Sequence, residues 1–464
     1  MPDQKKIVVM GLGLYHGGEG VAEYFARKGE QVLVTDLLSE KELKPSVEAL
    51  KKYPNIEFVL GQHRESDFEN AKIVFANPRV PPANKFLTIA KAKGIPVFTE
   101  MSYFFENKAC KVIGVTGTRG KSTTTNLTYQ ILKHSLPKVV LGGSIGVSVM
   151  PLLATPDPAQ IAVLEISNLM LEYMRELEQS PEIAAITNIS VDHLDRHGTM
   201  EEYVDVKSTI FKFQDKNGII VLNNDNEYTP SLKKLAKGKV ITFGSEESGA
   251  DYCVKNGIVH EFEKPLFPLE GVIEDTFHPL AGEHNKQNIL VAVALARTQN
   301  ASVQTIEEAI INYEGLYGRQ MYLGKIKDVH VVNDTCANSP SGTIEAFKRF
   351  ADSRIVLISG GTDVGLDFKP LVKVIKDSSV KAILLVSGSG SDALVAELKT
   401  EGISIPVVSA LPSLDEAVSK AFEVAKPNDL ILFSPGCKSF EMFVNQTERG
   451  KKFDEIVGAY KNAN

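Results

Sequence analysis

The sequence predicts an α/β chain of three domains, each built on a mainly parallel sheet. Three observations carry this. Short β-branched apolar runs alternate with amphipathic segments along almost the whole chain. Two glycine-rich turns, "GLGLYHGG" and "TGTRGKST", each join a predicted strand to a predicted helix. The length of 464 residues exceeds what one hydrophobic core normally organises.

The first block opens with strand "KIVVMGLG", a glycine turn, helix "VAEYFARKG" and strand "QVLVTD". Further alternation through "KIVFANP" and "IPVFTE" predicts a five-stranded parallel sheet, a Rossmann-like domain over residues 1–108. The second block, residues 109–314, starts with strand "KVIGVTG", a loop and a helix from about Lys121. Strands "IAVLEIS", "AAITNIS", "GIIVLNND" and "KVITFG" follow. From about Glu246 to Leu280 the pattern is β-rich but weakly periodic, so its turns are not placed. The helix "EHNKQNILVAVALARTQ" is apolar enough to pack against the sheet. The third block, residues 315–464, runs from strand "VHVVND" through strands "RIVLISGG", "KAILLVSG", "IPVVSA" and "DLILFSPG", with helices between them. That is a doubly wound sheet. No Pro/Gly-rich linker separates the blocks, so short hinges around a cleft are expected.

Composition narrows the function. The net charge of −7 argues against nucleic acid as a partner. Cys110, Cys253, Cys336 and Cys437 are scattered with no CxxC pair, which suits a reducing cytoplasm and offers no zinc knuckle. No apolar run is long enough to span a membrane, and the N-terminus reads as a strand rather than a signal peptide.

The chemistry concentrates in the central block. In "TGTRGKST", Gly117 and Gly120 let backbone N–H groups converge on phosphate oxygens, with Thr118 and Arg119 between them. Lys121 supplies a cation, and Ser122 or Thr123 can hold Mg²⁺ at a helix N-terminus. The strict pattern would place glycine at Val115, so this is a variant phosphate loop. Glu165 ends strand "IAVLEIS", where open sheets bind ligands, and reads as a Mg²⁺ ligand. Asp192, His193, Asp195 and His197 crowd the loop after "AAITN". Without HExxH or a cysteine partner, zinc is disfavoured. His193 is the candidate ligand and His197 a packing residue. In the first block, Gly11, Gly13 and Asp36 mimic a dinucleotide fingerprint whose third glycine falls one place late at Gly17. NAD, a UDP-sugar and a plain structural turn remain open for it.

In chain order, "TGTRGKSTTTN", "LEISNLMLE", "TNISVDHLDRHGTMEEYVDVK", "GEHNKQN", "YGRQ", "VVNDTCANSP" and "SPGCKSFEMFVNQTERGKKF" resemble the motifs of the Mur ligases over essentially the whole chain. The resemblance is strongest to the members that add D-glutamate. It implies a central phosphate-loop ATPase domain and an ATP-dependent ligase of peptidoglycan precursor synthesis. The γ-phosphate would pass to the carboxylate of UDP-N-acetylmuramoyl-L-alanine, and D-glutamate would attack the acyl phosphate. Lys121, Glu165, His193 and Lys207 would be catalytic, with one or two Mg²⁺ ions held by Ser122, Glu165, His193 and a carbamylated Lys207. Outside such a context Lys207 would read as a helix-surface lysine. Asn285 and Asn288 would lie near the adenine, and Arg319 and Asp334 would reach ATP from the third domain. Leu14, Asp36, Ser144, Ser167 and Ser439 would contact substrate. A cytoplasmic monomer is implied, binding neither nucleic acid nor membrane.

The chain departs from the family pattern at several places. "SNLM" (Ser167–Met170) replaces SSFQ, and Ser144 stands for an asparagine. Cys336 stands for a lysine, Asn338 for a threonine and Gly318 for a histidine, and Val364 or Gly365 for a second lysine. Lys369 and Lys438 lie nearby. A Mur-type ligase using another amino acid, or a non-catalytic nucleotide-binding relative, are the alternatives these departures raise.

Overall fold

A computed structural model of the chain describes residues 5–13 and 17–462. The first sheet contains β1 (Ile7–Met10), β2 (Val32–Asp36), β3 (Ile56–Leu60), β4 (Ile73–Ala76) and β5 (Val97–Phe98). All pairs are parallel, in the order β3-β2-β1-β4-β5. Every residue of β1 and β2 is buried, as expected of strands covered on both faces.

The central sheet contains β6 (Lys111–Thr116), β7 (Val139–Gly143), β8 (Ile161–Glu165), β9 (Ile183–Ile186), β10 (Ile219–Asn223) and β11 (Lys239–Phe243). It continues through β12 (Tyr252–Lys255), β13 (Ile258–Glu261) and β14 (Lys264–Pro268). The order is β14-β13-β12-β11-β10-β9-β6-β8-β7. The weakly periodic stretch is thus an antiparallel meander on a parallel sheet. Its first turn, Asn256-Gly257, has φ of 49° and 74° and carries the standard hairpin signal. Its second turn uses Phe262 and Glu263 at φ 45° and 69°, residue types that give no such signal.

The third sheet contains β15 (Met321–Ile326), β16 (Val329–Asn333), β17 (Ile355–Ser359), β18 (Val380–Val386), β19 (Val407–Leu411) and β20 (Leu430–Phe433). Its order is β15-β16-β20-β17-β18-β19. Five strands form the expected parallel core, and β15 adds an unpredicted antiparallel edge.

The chain divides into two compact units. One runs to Glu270 and includes His284–Asn312; the other comprises Gly271–Glu283 and Tyr313 onward. Within the first unit, the N-terminal and central sheets share one apolar core that includes Val9, Phe104, Val149 and Leu171. Polar ties reinforce this junction: Tyr173 donates to the Val80 carbonyl at 2.7 Å, and the Val149 amide donates to half-buried Glu100 at 2.9 Å.

Candidate active site

The phosphate loop leaves β6 where the strand order reverses. β6 lies between β8 and β9, with Val115 opposite Glu165 and Thr116 opposite Ile186. Carboxyl ends therefore converge at the usual ligand position of an open α/β sheet. Gly120 begins the helix Lys121–Ser135 in a left-handed conformation, φ 80°. A Cβ there would lie 2.2 Å from Asn288 Oδ1, and one at Gly117 would lie 1.9 Å from Thr187 Oγ1. Glycine is required at both places by close packing.

The end of β9 clamps the loop. The Arg119 amide donates to Asn188 Oδ1 and Asn188 Nδ2 donates back to the Arg119 carbonyl, each at 3.0 Å. Thr187 Oγ1 donates to the same carbonyl at 2.6 Å, and the Thr118 amide to the Asn188 carbonyl at 2.9 Å. Thr118 Oγ1 lies 3.2 Å from the Tyr203 hydroxyl. The Arg119 side chain itself is exposed. Replacing Asn188 by alanine removes the reciprocal pair, and at roughly 1 kcal/mol for each of the two bonds nucleotide affinity should fall about thirtyfold. A fluorescent-nucleotide titration reads this; unchanged affinity would show that the clamp does not shape the loop.

Two ammonium groups meet at one carbonyl. Lys121 Nζ donates to Gly117 O at 3.0 Å and to Thr118 O at 2.9 Å. Lys207 Nζ also donates to Gly117 O, at 3.0 Å. Lys207 lies on the helix Met200–Lys212, which Thr199 caps by accepting from the Glu202 amide. Helical spacing puts Tyr203, Lys207 and Ile210 on its buried face, and Lys207 is only 1 % exposed. It is therefore no surface lysine. Burial, then the Lys121 charge, push its pKa well below the ordinary lysine value, against the opposing pull of Asp192.

Glu165 is 5 % exposed at the end of β8. Its Oε1 accepts from Ser144 Oγ at 3.0 Å, while Oε2 is buried without a hydrogen-bond partner. An orphaned carboxylate oxygen at the mouth of a phosphate loop suits a cation. Ser122 and Thr123 lie half-buried in the first helical turn. His193 occupies a left-handed turn, φ 51°, with Nε2 3.7 Å from Asp192 Oδ2. Beside it, His197 is buried against Asn168 Nδ2 at 2.9 Å, consistent with a packing residue. Arg196 forks onto Glu172 at 3.0 and 2.6 Å and ties the His193 turn to the helix Asn168–Glu176. Asn168, one of the departures from the family pattern, thus has a local partner. No group of three or more His, Cys, Asp or Glu gathers among the described residues. The donor set therefore suits an ion completed by phosphate and water oxygens.

The other expected residues distribute as follows. Asn285 and Asn288 are buried and paired at 2.8 Å, and Asn288 also accepts from Thr124 at 3.3 Å under the loop. Ser167 caps its helix by accepting from the Met170 amide at 3.4 Å. Asp36 turns inward, accepting from the Leu12 and Gly13 amides at 2.8 and 3.3 Å and the Leu38 amide at 2.9 Å. It holds the first glycine turn in shape. Leu14 lies outside the described residues.

In the second unit, Arg319 is exposed and Ser439 is buried. Asp334 is buried, accepting from Ser434 Oγ at 2.7 Å and the Gln320 amide at 3.1 Å. Burial raises its pKa to about 7, against these hydrogen bonds and the fields of Arg319 and Arg349. A carboxyl raised above its unfolded value binds protons in the native state between the two pKa values. Its contribution to stability is therefore present below about pH 4 and is lost as pH rises toward 7. Asp334→Asn should flatten the melting midpoint between pH 5 and 8 relative to the parent. Parallel pH profiles for the two proteins would refute this.

Three family models match this chain in order. The Mur ligase MurD-like N-terminal domain matches residues 5–99, the Mur ligase middle domain 115–296, and the Mur ligase glutamate ligase domain 318–437. Together they span most of its length.

The chain belongs to the Mur ligase family.

A curated UDP-N-acetylmuramoylalanine–D-glutamate ligase from Roseiflexus sp. (strain RS-1) is 37% identical, covering 98% of this chain and 99% of the relative. A protein of the same name from Borreliella afzelii (strain PKo) is 34% identical, covering 97% of each chain. Among solved structures, UDP-N-acetylmuramate-alanine ligase MurC from Thermotoga maritima superposes with a TM-score of 0.63 at 20% identity. The alignment covers 99% of this chain and 100% of that one, which shows the shared Mur ligase fold. Among the described residues of this Mur ligase, no helix is long and apolar enough to cross a membrane.

Proposed function

We propose that this Mur ligase is the ATP-dependent enzyme of peptidoglycan precursor synthesis that joins D-glutamate to UDP-N-acetylmuramoyl-L-alanine. The whole-length likeness to ligases of that name supports the substrates. The meeting of Lys121 and Lys207 at the Gly117 carbonyl, with orphaned Glu165 Oε2 on the strand end paired with Val115, supports the chemistry.

An acceptor carboxylate and a triphosphate repel each other, so cations must lie between them. Lys121 is poised to leave the Gly117 and Thr118 carbonyls for the phosphates. Ser122, Glu165 and His193 would hold Mg²⁺, which supplies charge neutralisation at the transferring phosphoryl group. Ser144 leaves Glu165 Oε2 free by occupying Oε1. Lys207 bears on the remaining charge. Burial favours its neutral amine, the form that attacks CO₂. The amine nitrogen attacks the CO₂ carbon, a C=O π pair moves onto oxygen, the nitrogen loses a proton to solvent, and a carbamate anion replaces the neutral amine beside Lys121. Activity lost in CO₂-free buffer and restored by bicarbonate would bear this out; indifference to CO₂ would refute it. Asn285 and Asn288 would border the base. Arg319, Asp334 and Ser439 would serve ATP and the amino acid, and Asp36 would order the turn that receives the UDP end. A cytoplasmic monomer, with one or two ions per site, completes the proposal.

The test is release of ADP and phosphate, which should require UDP-N-acetylmuramoyl-L-alanine and D-glutamate together. A panel of amino acids belongs in the same assay, because Cys336 and Val364 put no charge where an acidic substrate needs one. Turnover with another amino acid alone would replace D-glutamate. Nucleotide binding without turnover on any combination would point to a non-catalytic relative.

A further inference from the structure

Arg449 lies on the helix Gln446–Asn462 and is 3 % exposed. Its Nε donates to Thr335 Oγ1 at 3.2 Å, and one terminal nitrogen donates to the Cys437 carbonyl at 3.1 Å. The other donates to the Thr335 carbonyl and to Asn338 Oδ1, both at 2.8 Å. Among the described residues, every partner is a neutral acceptor. Asp334, the acid whose field it feels, is already held by Ser434 and Gln320 and forms no ion pair with it. Burial lowers the Arg449 pKa to about 10, so it stays charged at neutral pH. A buried charge without a counter-ion is costly, and an anion arriving at the site would supply the missing counter-charge. Arg349, the other strongly desolvated arginine of this unit, is partly exposed and grips the carbonyls of Thr276, His278 and Gln320. Solvent and main chain account for it.

Of the residues around Arg449, Thr335 and Cys437 are buried and Asn338 is half-buried. Asn338 Oδ1 must face the guanidinium, so its amide nitrogen is the end left for other partners. That nitrogen donates to Gln446 Oε1 and has a second hydrogen for an acceptor. Cys336 and Gln446 flank it, both uncharged and half-buried. The Cys437 carbonyl that Arg449 grips is two residues before buried Ser439. An amide donor polarised by a guanidinium beneath it is a carboxylate-binding arrangement.

We propose that Arg449, acting through Asn338, supplies the positive charge that selects an acidic amino acid at this site. Arg449 is then a positioning residue, and Asn338 is the group that touches the carboxylate. The proposal rests on the ligase function argued above.

Steady-state kinetics on the full chain test it, with D-glutamate, ATP and UDP-N-acetylmuramoyl-L-alanine varied in turn. Asn338→Asp sets a carboxylate over Arg449 and cancels its charge without disturbing the core. It should raise the KM for D-glutamate at least tenfold, with the other two KM values within twofold. Arg449→Met should do the same, and adding Cys336→Lys should recover most of the loss by restoring a cation nearby. A native D-glutamate KM in Asn338→Asp, or equal rises for all three substrates, would overturn the proposal. Should Arg449→Met fail to fold, Asn338→Asp alone decides. Absence of D-glutamate turnover in the parent protein would instead refute the ligase reading, so the two failures are distinct.

Discussion

Lys121→Met will lower ATP-dependent phosphate release by about 10²- to 10³-fold while leaving the melting midpoint nearly unchanged. The magnitude is that of removing one positioned charge from a site of developing negative charge. The selectivity follows from the structure. Lys121 Nζ is half-buried at the loop mouth, and the Gly117 carbonyl it contacts also receives Lys207. Methionine keeps the apolar stem and removes the charge. Relief from the neighbouring ammonium should also let the Lys207 pKa rise, because Lys121 is the second cause holding it down. ADP release under saturating precursor, with a thermal melt alongside, is sufficient. A rate within tenfold of the parent would remove Lys121 from the phosphate-handling role.

Glu165→Gln should have an effect of similar size, for a different reason. The amide preserves volume and still accepts from Ser144 Oγ, which lies 3.0 Å away. It loses the charge at Oε2, a buried oxygen with no protein partner. Metal-dependent turnover should fall about 10²-fold or more. Mn²⁺ binding in the presence of nucleotide, read by electron paramagnetic resonance, should weaken in parallel. Ser144→Ala removes only the orienting hydrogen bond, worth about 1 kcal/mol, so its metal requirement should rise only severalfold. If Glu165→Gln binds Mn²⁺ like the parent, the orphaned oxygen is a structural defect and not a ligand position.

The phosphate loop was legible because strand, glycines, lysine and helix are contiguous, and each acts within a few residues. The five-stranded first sheet was legible for the same reason: β-branched runs and glycine turns repeat in order. The Asn256-Gly257 hairpin carried its own signal. The β15–β16 hairpin did not, since Lys327 and Asp328 hold the left-handed positions at φ 49° and 62°. Residue preference is weak there, and pairing with β20 through β16 decides the outcome. Thr187 and Asn188 were missed as loop clamps. They sit in an ordinary strand-end motif, and their role exists only because β9 neighbours β6 in space.

Residue types and local backbone preferences were therefore determined by the sequence itself: a phosphate loop, a strand-end glutamate, a lysine at position 207 and a buried-type helix behind them. Tertiary structure alone decided what charge each group can bear. Lys207 is a depressed, buried amine because its helix packs that face inward beside Lys121. Glu165 has one free oxygen because Ser144, from the neighbouring strand end, takes the other. Arg449 is a cation without a counter-ion among the described residues because Thr335, Asn338 and Cys437 surround it with neutral acceptors. Desolvation and electrostatic fields sum over everything packed around a group, and those neighbours come from distant parts of the chain.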